Sequence, residues 1–283
     1  MNPVDLHTHT TASDGLHRPA DNVRMAKEAG LTGIAITDHD TVAGFEEAAE
    51  AGAKLGVEVV PGVEISTSHE GRDIHILGYY IDVNDSALIE RLVSQRRVRD
   101  SRNEGIIARL AELGIPLTMA EVAEAAGREP GQDETIGRPH IAAALLRGGF
   151  VASIQEAFDR YLAEGRPAYV VPPARISPFE AFDWIREAGG TAIVAHPGLY
   201  GDDELPELFL SRGADGLEAY HSDHSPEQER LYRELAESRG KLVTGGSDFH
   251  GARKGKTYHG PIGNRVVDAE VLNRLRERAR GRQ

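Results

Sequence analysis

The amino-acid sequence predicts an α/β fold in which helices cover a parallel sheet that is closed, or nearly closed, into a barrel. Short apolar runs typical of buried strands alternate with Ala- and Glu-rich segments that have helical spacing. Several of these runs end in a histidine or an acid, and the active sites of such barrels lie where the strands end. The length of 283 residues suits one large barrel, or a domain that carries an insertion.

The alternation defines the elements in chain order. The segments predicted as strands are 3–6, Leu31–Thr37, Val57–Val63, Asp73–Tyr80, Thr191–Ala195, Gly216–Tyr220 and Lys241–Gly246. The helices predicted between them include Pro19–Ala29, Gly44–Leu55, Pro178–Ala188 and Pro226–Arg239. Asp268–Arg280 is predicted to be a closing helix, with basic residues in its last turn that suit the helix dipole. Apolar strands that alternate with helices are typical of a parallel sheet covered on both faces.

The alternation stops between about Ser86 and Pro173. Helical segments are predicted there at Ser86–Leu113, Thr118–Ala126, Pro139–Leu146 and Ser153–Ala163, and a strand-like run returns at Pro167–Val171. We therefore predict a barrel domain formed by residues 1–85 and 167–283. Residues 86–166 would form an α-helical insertion that caps the C-terminal face of the barrel.

Composition excludes several classes of protein. The net charge of −13 argues against stable binding of duplex nucleic acid, although it allows a small anionic substrate. The chain has no cysteine, which rules out disulfides and thiolate zinc sites. Neither an apolar run long enough to span a bilayer nor a secretory signal is evident, so we expect a cytoplasmic enzyme that does not bind membranes.

Metal-ligand residue types collect at the ends of the predicted strands. His7 and His9 stand two residues apart, which places both imidazoles on one side of an extended chain. The full set is His7, His9, Asp14, His39, Glu64, His75, His196, Asp248 and His250. A mononuclear site needs three or four protein ligands, so this surplus indicates two or three metals. Ligation by nitrogen and oxygen without sulfur suits Mn, Fe or Zn. Such a cluster can bind a phosphate and generate the hydroxide that attacks it.

The motifs that carry these residues resemble the PHP (polymerase and histidinol phosphatase) family. The matching stretches are Asp5–His9, Ser13–Gly15, Thr37–Asp40, Gly62–Glu64, His75–Gly78, Ala195–Pro197 and Ser247–His250. They are most similar to the stand-alone PHP phosphoesterases that carry a helical insertion and act on nucleotides. The resemblance implies a distorted (β/α)7, TIM-like barrel with three divalent metal ions, of which Mn is expected first and Fe or Zn as alternatives.

The resemblance also implies a distribution of the catalytic metal ligands. His7, His9, Glu64 and Asp248 would hold one metal. Glu64 would bridge to a second, completed by His75 and His196. Asp14, His39 and His250 would hold the third.

Substrate-binding residues are predicted from two further motifs. Gly137–His140 resembles the family's substrate motif, in which Arg138 and His140 reach a phosphate. Arg offers a planar fork to phosphate oxygens, and Pro139 at a helix start would place His140 in a first turn that favours anions. His221 is a further candidate, as a phosphate contact or general acid, with a plain surface loop as the alternative.

Less direct roles are expected for other residues near the ligands. Asp5, Asp38 and Asp40 could each accept the second N–H of a ligand imidazole, and Asp40 could instead cap the following helix. No metal or substrate role is assigned to His17, His69 and His259.

We therefore expect a hydrolase that removes the phosphate of a nucleotide phosphomonoester by attack of a metal-bridging hydroxide. The substrate would be a nucleoside 3′,5′-bisphosphate, a nucleoside monophosphate or the 5′-phosphorylated end of a short oligonucleotide. The alternatives are histidinol-phosphate phosphatase, hydrolysis of a C–N bond, and a non-catalytic metal-binding interaction module. The complete ligand set disfavours the last of these.

Overall fold

The computed structural model describes residues 2–126, 136–171, 175–253, 256–257 and 259–281. The chain divides into two compact units. The first contains Met1–Leu92 and Ile176–Gln283, and the second contains Val93–Arg175. The long helix between residues 86 and 112 begins in the first unit and continues into the second.

The strands are β1 Pro3–Asp5, β2 Gly33–Ile36, β3 Glu58–His69, β4 Arg72–Tyr79, β5 Thr191–Val194, β6 Gly216–His221, β7 Leu242–Gly246, β8 Ala252–Arg253, β9 Lys256–Thr257 and β10 Val267–Asp268. The α-helices are α1 Pro19–Glu28, α2 Phe45–Leu55, α3 Ser86–Glu112, α4 Met119–Ala125, α5 Arg138–Arg147, α6 Ile154–Ala157, α7 Pro178–Glu187, α8 Glu204–Ser211, α9 Pro226–Ser238 and α10 Glu270–Arg280. A π-helical turn at Phe158–Leu162 and a 3-10 turn at Pro197–Leu199 complete the described elements.

The main sheet has the strand order β10-β1-β2-β3-β4-β5-β6-β7 and is nearly closed into a barrel. Its two sides meet where the Leu6 amide donates to the Gly245 carbonyl at 3.1 Å. A parallel bridge between Thr8 and Phe249 continues the contact. The α/β barrel expected from the sequence is therefore confirmed.

The sheet is not fully parallel, and here the expectation was wrong. β4 pairs antiparallel with both β3 and β5, because β3 and β4 form a hairpin. Its turn is the pair Glu70 and Gly71, with φ angles of 50° and 81°. Two consecutive left-handed residues are typical of a tight hairpin turn, and glycine takes that conformation without steric cost. His75 therefore reaches the C-terminal edge of the barrel from the first half of β4.

Burial on both faces explains the apolar composition of the strands. All four residues of β2 are buried. Ile34 and Ile36 pack into one cluster with α1 and α2, while Ala35 faces a second cluster that contains Leu6 and Leu77. A strand of a helix-covered sheet reads as a continuous apolar run for this reason.

The second unit is helical and has its own core. Ile106, Leu110, Ile141 and Leu145 are fully buried there, together with residues of α4 and of the 150–170 region. The strand-like run Pro167–Val171 forms no strand, so that prediction was wrong. Its carbonyls are taken by arginines of α3: Arg102 donates to the Val170 carbonyl at 3.0 Å, and Arg109 donates to that of Tyr169.

The described helices include none with the length and apolar character that crossing a bilayer requires.

Candidate metal centre

The predicted ligands of the first unit converge around the carboxylate of Glu64. One of its oxygens, Oε1, lies 2.9 Å from Nδ1 of His75 and 3.1 Å from Nε2 of His196. The other, Oε2, lies 3.1 Å from Nε2 of His9, 3.1 Å from Nδ1 of His39 and 3.3 Å from Nε2 of His7. Glu64 is 1% exposed. A single buried carboxylate is thus shared by five imidazoles.

Asp248, which follows the end of β7, faces the imidazoles of His7 and His9. Its Oδ1 lies 3.1 Å from Nε2 of His9 and 3.3 Å from Nε2 of His7. Gly246 permits this approach, because a Cβ there would lie 2.4 Å from the backbone nitrogen and the Cβ of His7. Asp248 itself has a φ of 52°, and His196 a φ of 25°. Such backbone costs about 1–3 kcal/mol per residue and concentrates at functional sites.

A third cluster lies beside His9. Nε2 of His250 is 3.2 Å from Oδ1 of Asp14, and Nε2 of His39 is 3.8 Å from Oδ2 of the same carboxylate. The rings of His9 and His250 stack with their centroids 4.0 Å apart. Asp14, His39 and His250 are each buried.

The donor atoms fit metal ions. Among the described residues, three sets of predicted ligands have donor atoms that all lie within 4.8 Å of one another. These sets are His7–His9–Glu64–Asp248, His9–Asp14–His39–His250 and His39–Glu64–His75. His196 lies outside these sets but contacts one of their members, with its Nε2 3.1 Å from Glu64 Oε1. All nine predicted ligands are therefore brought together at one end of the barrel.

Orphaned atoms support the same conclusion. His7 Nε2, His9 Nε2 and Asp248 Oδ1 are buried and make no hydrogen bond within the described chain. Buried polar atoms in native proteins nearly always have a partner. One divalent cation among these three atoms would satisfy all of them, with the nitrogen and oxygen ligands that Mn, Fe or Zn accept.

Comparison with known proteins identifies the family. The PHP domain matches residues 5–104. The 5′-3′ exoribonuclease of Haemophilus influenzae is 36% identical over 251 residues, which cover 87% of this chain and 89% of that protein. The chain belongs to the PHP domain family.

Two further relatives agree with this assignment. The 3′,5′-nucleoside bisphosphate phosphatase of Chromobacterium violaceum is 34% identical over 263 residues, which cover 90% of each protein. A crystal structure from Bifidobacterium adolescentis, named as a candidate metal-dependent phosphoesterase, superposes with a TM-score of 0.86 at 33% identity. That superposition covers 96% of this chain and 94% of the other. The PHP protein described here is a metal-dependent phosphoesterase, a hydrolase of phosphoric ester bonds.

Charges within the PHP site shift one another's pKa values. Burial raises the pKa of Glu64, but the charges of His39, His75 and His7 outweigh it and hold that pKa well below its ordinary value. Burial lowers the pKa of His9, but the negatively charged carboxylates of Asp248 and Glu64, each with an oxygen 3.1 Å from its Nε2, raise it to about 10. In the metal-free protein His9 is therefore protonated at neutral pH, and metal binding must displace that proton.

The three acids expected to orient imidazoles do something else. Asp38 accepts from the Thr10 amide and hydroxyl at 2.8 and 2.7 Å, and from the Ser13 hydroxyl at 2.5 Å. Asp5 accepts from the amides of Ser247 and Gly263, both at 2.9 Å, and burial raises its pKa to about 6. These acids hold the loops that carry Asp14 and Asp248.

Asp40 was also assigned incorrectly as a cap. Its Oδ1 accepts from the Ser66 amide at 2.8 Å, whereas the N-cap of α2 is Gly44. The side chain therefore joins the loop after β2 to β3.

The acid that does bind a ligand imidazole is Glu218, which sequence reasoning missed. Its Oε1 lies 2.9 Å from Nδ1 of His7. The available signal was an acidic residue inside an otherwise apolar strand, Gly216–His221, where burial requires a partner.

His221 and His259 lie beside Asp248. His221 is fully buried; its Nδ1 accepts from the Asp223 amide at 3.1 Å, so its proton is on Nε2, 3.2 Å from Asp248 Oδ2. Both ring nitrogens are thus engaged within the protein, and a substrate contact by His221 stays a prediction. His259, to which no role was assigned, pairs with Asp223 and lies 3.4 Å from Asp248 Oδ2. No ligand motif surrounds it in the sequence.

Arg138 and His140 belong to the second unit. Arg138 begins α5, with Pro139 following it in the first turn. His140 is 2% exposed, and its Nδ1 accepts from the Gly137 amide at 3.0 Å. The imidazole therefore closes the helix N-terminus and carries its proton on Nε2. Contact of these two residues with a phosphate remains a prediction.

Proposed function

We propose that this PHP protein removes a phosphate from a nucleotide phosphomonoester, and that a nucleoside 3′,5′-bisphosphate is its substrate. The convergence of nine metal-ligand residues on one end of the barrel carries the proposal, since two buried carboxylates there are each shared among several imidazoles. The substrate class is supported by the Chromobacterium violaceum relative, which is named a 3′,5′-nucleoside bisphosphate phosphatase and aligns over 90% of both chains.

The proposed metals are three divalent ions, with Mn²⁺ first and Fe or Zn as alternatives. His7, His9, Glu64 and Asp248 would hold the first ion. Glu64, His75 and His196 would hold the second, and Asp14, His39 and His250 the third. When bound, such ions stabilise the charge on phosphoryl oxygens and lower the pKa of the bound water to about 7.

The protein's own residues supply orientation. Hydrogen bonds from Thr10 and Ser13 to Asp38 fix the loop that carries Asp14. The hydrogen bond from His221 fixes Asp248. Rigid ligands keep the site preorganised, which is how electrostatic stabilisation of a transition state avoids a reorganisation cost.

The proposed phosphate contacts are Arg138 and His140, with residues 86–166 as the segment that covers the substrate. The guanidinium can donate hydrogen bonds from its fork to two phosphate oxygens, and the Nε2 proton of His140 can be donated to a third. Gly137–His140 starts a helix of ten residues, so its backbone dipole also favours an anion.

A second candidate is stepwise removal of nucleotides from a short 5′-phosphorylated RNA. The Haemophilus influenzae relative, at 36% identity, is named a 5′-3′ exoribonuclease. Both reactions cleave a phosphoester, and the same metal ligands would serve either one.

Product release by the Mn²⁺-loaded protein tests the proposal, measured as inorganic phosphate for the phosphomonoesters and as mononucleotides for the RNA. The substrate panel contains a nucleoside 3′,5′-bisphosphate, 3′- and 5′-monophosphates, histidinol phosphate and a short 5′-phosphorylated RNA. We expect the bisphosphate to have the highest kcat/KM. A preference for the RNA would select the second candidate, and a preference for histidinol phosphate would reject both. No release from any phosphoester by metal-loaded protein would refute the reaction itself.

Variants of α5 test the phosphate contact. Arg138→Ala is expected to raise KM for the bisphosphate, whereas Arg147→Ala, at the other end of the same helix and paired with Glu124, leaves it unchanged. An equal effect of both changes would mean that Arg138 stabilises the helix and does not bind phosphate.

A further inference from the structure

Glu218 is a buried carboxylate that belongs to none of the proposed ligand sets. It lies in the middle of β6 and is 0% exposed. Burying a carboxylate costs several kcal/mol unless hydrogen bonds and opposite charge compensate it. Glu218 therefore needs hydrogen-bond donors around it that compensate the burial of its charge.

The first partner is the imidazole of His7. Nδ1 of that ring lies 2.9 Å from Oε1 and 3.2 Å from Oε2 of Glu218. A carboxylate only accepts hydrogen bonds, so Nδ1 must carry a proton. The opposite nitrogen, Nε2, faces Glu64 and Asp248. This is the arrangement in which an outer carboxylate fixes the tautomer of a metal-binding histidine.

The second partner is the backbone of His196. Its amide donates to Oε2 of Glu218 at 2.8 Å. His196 lies just after β5 with a φ of 25°, a conformation that needs support from its surroundings. The imidazole of His196 has its Nε2 atom 3.1 Å from Glu64 Oε1.

We propose that Glu218 is a positioning residue that orients His7 and His196, two histidines from two different proposed metal sites, through one carboxylate. The double acceptor is essential to this role. Glutamine has the same shape but offers one acceptor oxygen and one NH₂ group, so one of the two N–H donors would face another donor. If the NH₂ group faces Nδ1 of His7, the ring proton moves to Nε2 and that nitrogen can no longer bind a metal.

The test measures Mn²⁺ binding to chelator-treated protein. The electron paramagnetic resonance signal of free Mn²⁺ reports how much of the metal remains unbound. Glu218→Gln is compared with Asp215→Asn. Asp215 is a matched control, because it also is buried, immediately precedes β6 and accepts a β5 amide, that of Ala192, at 3.0 Å. We expect Glu218→Gln to weaken Mn²⁺ binding by about 10–100-fold, the usual loss for an outer-shell ligand partner. Asp215→Asn should bind as the wild type does.

Two outcomes would overturn the proposal: wild-type Mn²⁺ affinity in Glu218→Gln, or an equal loss in Asp215→Asn. Because Glu218→Gln could also fail to fold, a second measurement uses the wild type alone. In ¹⁵N-histidine spectra of the Zn²⁺-loaded protein, His7 is expected to be protonated at Nδ1, and a proton on Nε2 would contradict the proposed orientation. The inference rests on the proposed ligand residues and not on the substrate. A wild type that binds Mn²⁺ but releases no phosphate would refute the proposed function and leave the role of Glu218 intact.

Discussion

His39 and Glu64 are joined by both backbone and side chain. Their backbones form a parallel bridge between the loop after β2 and the middle of β3, and Nδ1 of His39 lies 3.1 Å from Oε2 of Glu64. The register that pairs Ile36 with Pro61 thus also sets the distance between the two side chains. Part of the site is therefore built by the hydrogen bonding of the sheet, which limits reorganisation when a metal binds.

The first prediction concerns removal of the shared carboxylate of Glu64. Glu64→Gln should reduce bound metal and lower phosphate release by more than about 100-fold, since a direct ligand matters more than the outer-shell partners that cost 10–100-fold. Metal content by mass spectrometry and kcat check this. Glu58→Gln is the control, because Glu58 lies on the same strand but binds Tyr80 and Arg276 instead. Full metal content in Glu64→Gln would contradict a shared ligand.

The convergence of the candidate ligand residues could be predicted from sequence because their signal is local. His7 and His9 stand at a strand end, and Asp248 and His250 follow another, so residue type and position along the chain identify them. The parallel arrangement of strands then places such ends at one edge. The fold class and the convergence of the candidate ligands at one edge therefore follow from short segments considered separately.

The residues that sequence reasoning assigned incorrectly or missed depend on contacts between distant segments. Asp38 sits next to a ligand histidine yet binds Thr10 and Ser13, while Glu218 is far from His7 in sequence and binds its ring. Proximity along the chain therefore does not show which histidine or hydroxyl a buried carboxylate binds. The antiparallel β4 was missed because Glu70-Gly71 is a weaker turn signal than Asn-Gly or Asp-Gly.

Proton release on metal binding is the second prediction. The pKa of His9 is raised from 6.5 to about 10 in the metal-free protein, so below that pH a metal at Nε2 must displace a proton. Mn²⁺ affinity should therefore rise with pH, by about tenfold per pH unit for one displaced proton. Titration calorimetry in two buffers of different ionisation enthalpy measures the protons released. An affinity that does not change between pH 6.5 and 8.5 would contradict the protonated state of His9.

The third prediction concerns the hydrogen bond between His221 and Asp248. His221→Ala should weaken metal binding by about 10–100-fold, because Nε2 of His221 holds Oδ2 of that carboxylate. The control is His69→Ala, since the His69 ring packs edge-on against Phe179 and Phe209, outside the ligand sets. If His221 instead contacts substrate, the variant would keep its Mn²⁺ affinity and show only a raised KM.

The fourth prediction concerns the core of the second unit. Leu145 in α5 is 0% exposed, whereas Leu113, just after α3, is 46% exposed. Leu145→Ala should lower the free energy of unfolding by about 2–5 kcal/mol, because it removes apolar burial and leaves a cavity. Leu113→Ala should change it by less than about 0.5 kcal/mol. Urea unfolding of both variants gives the two values, and a loss of stability in Leu113→Ala as large as that in Leu145→Ala would contradict the burial that separates them.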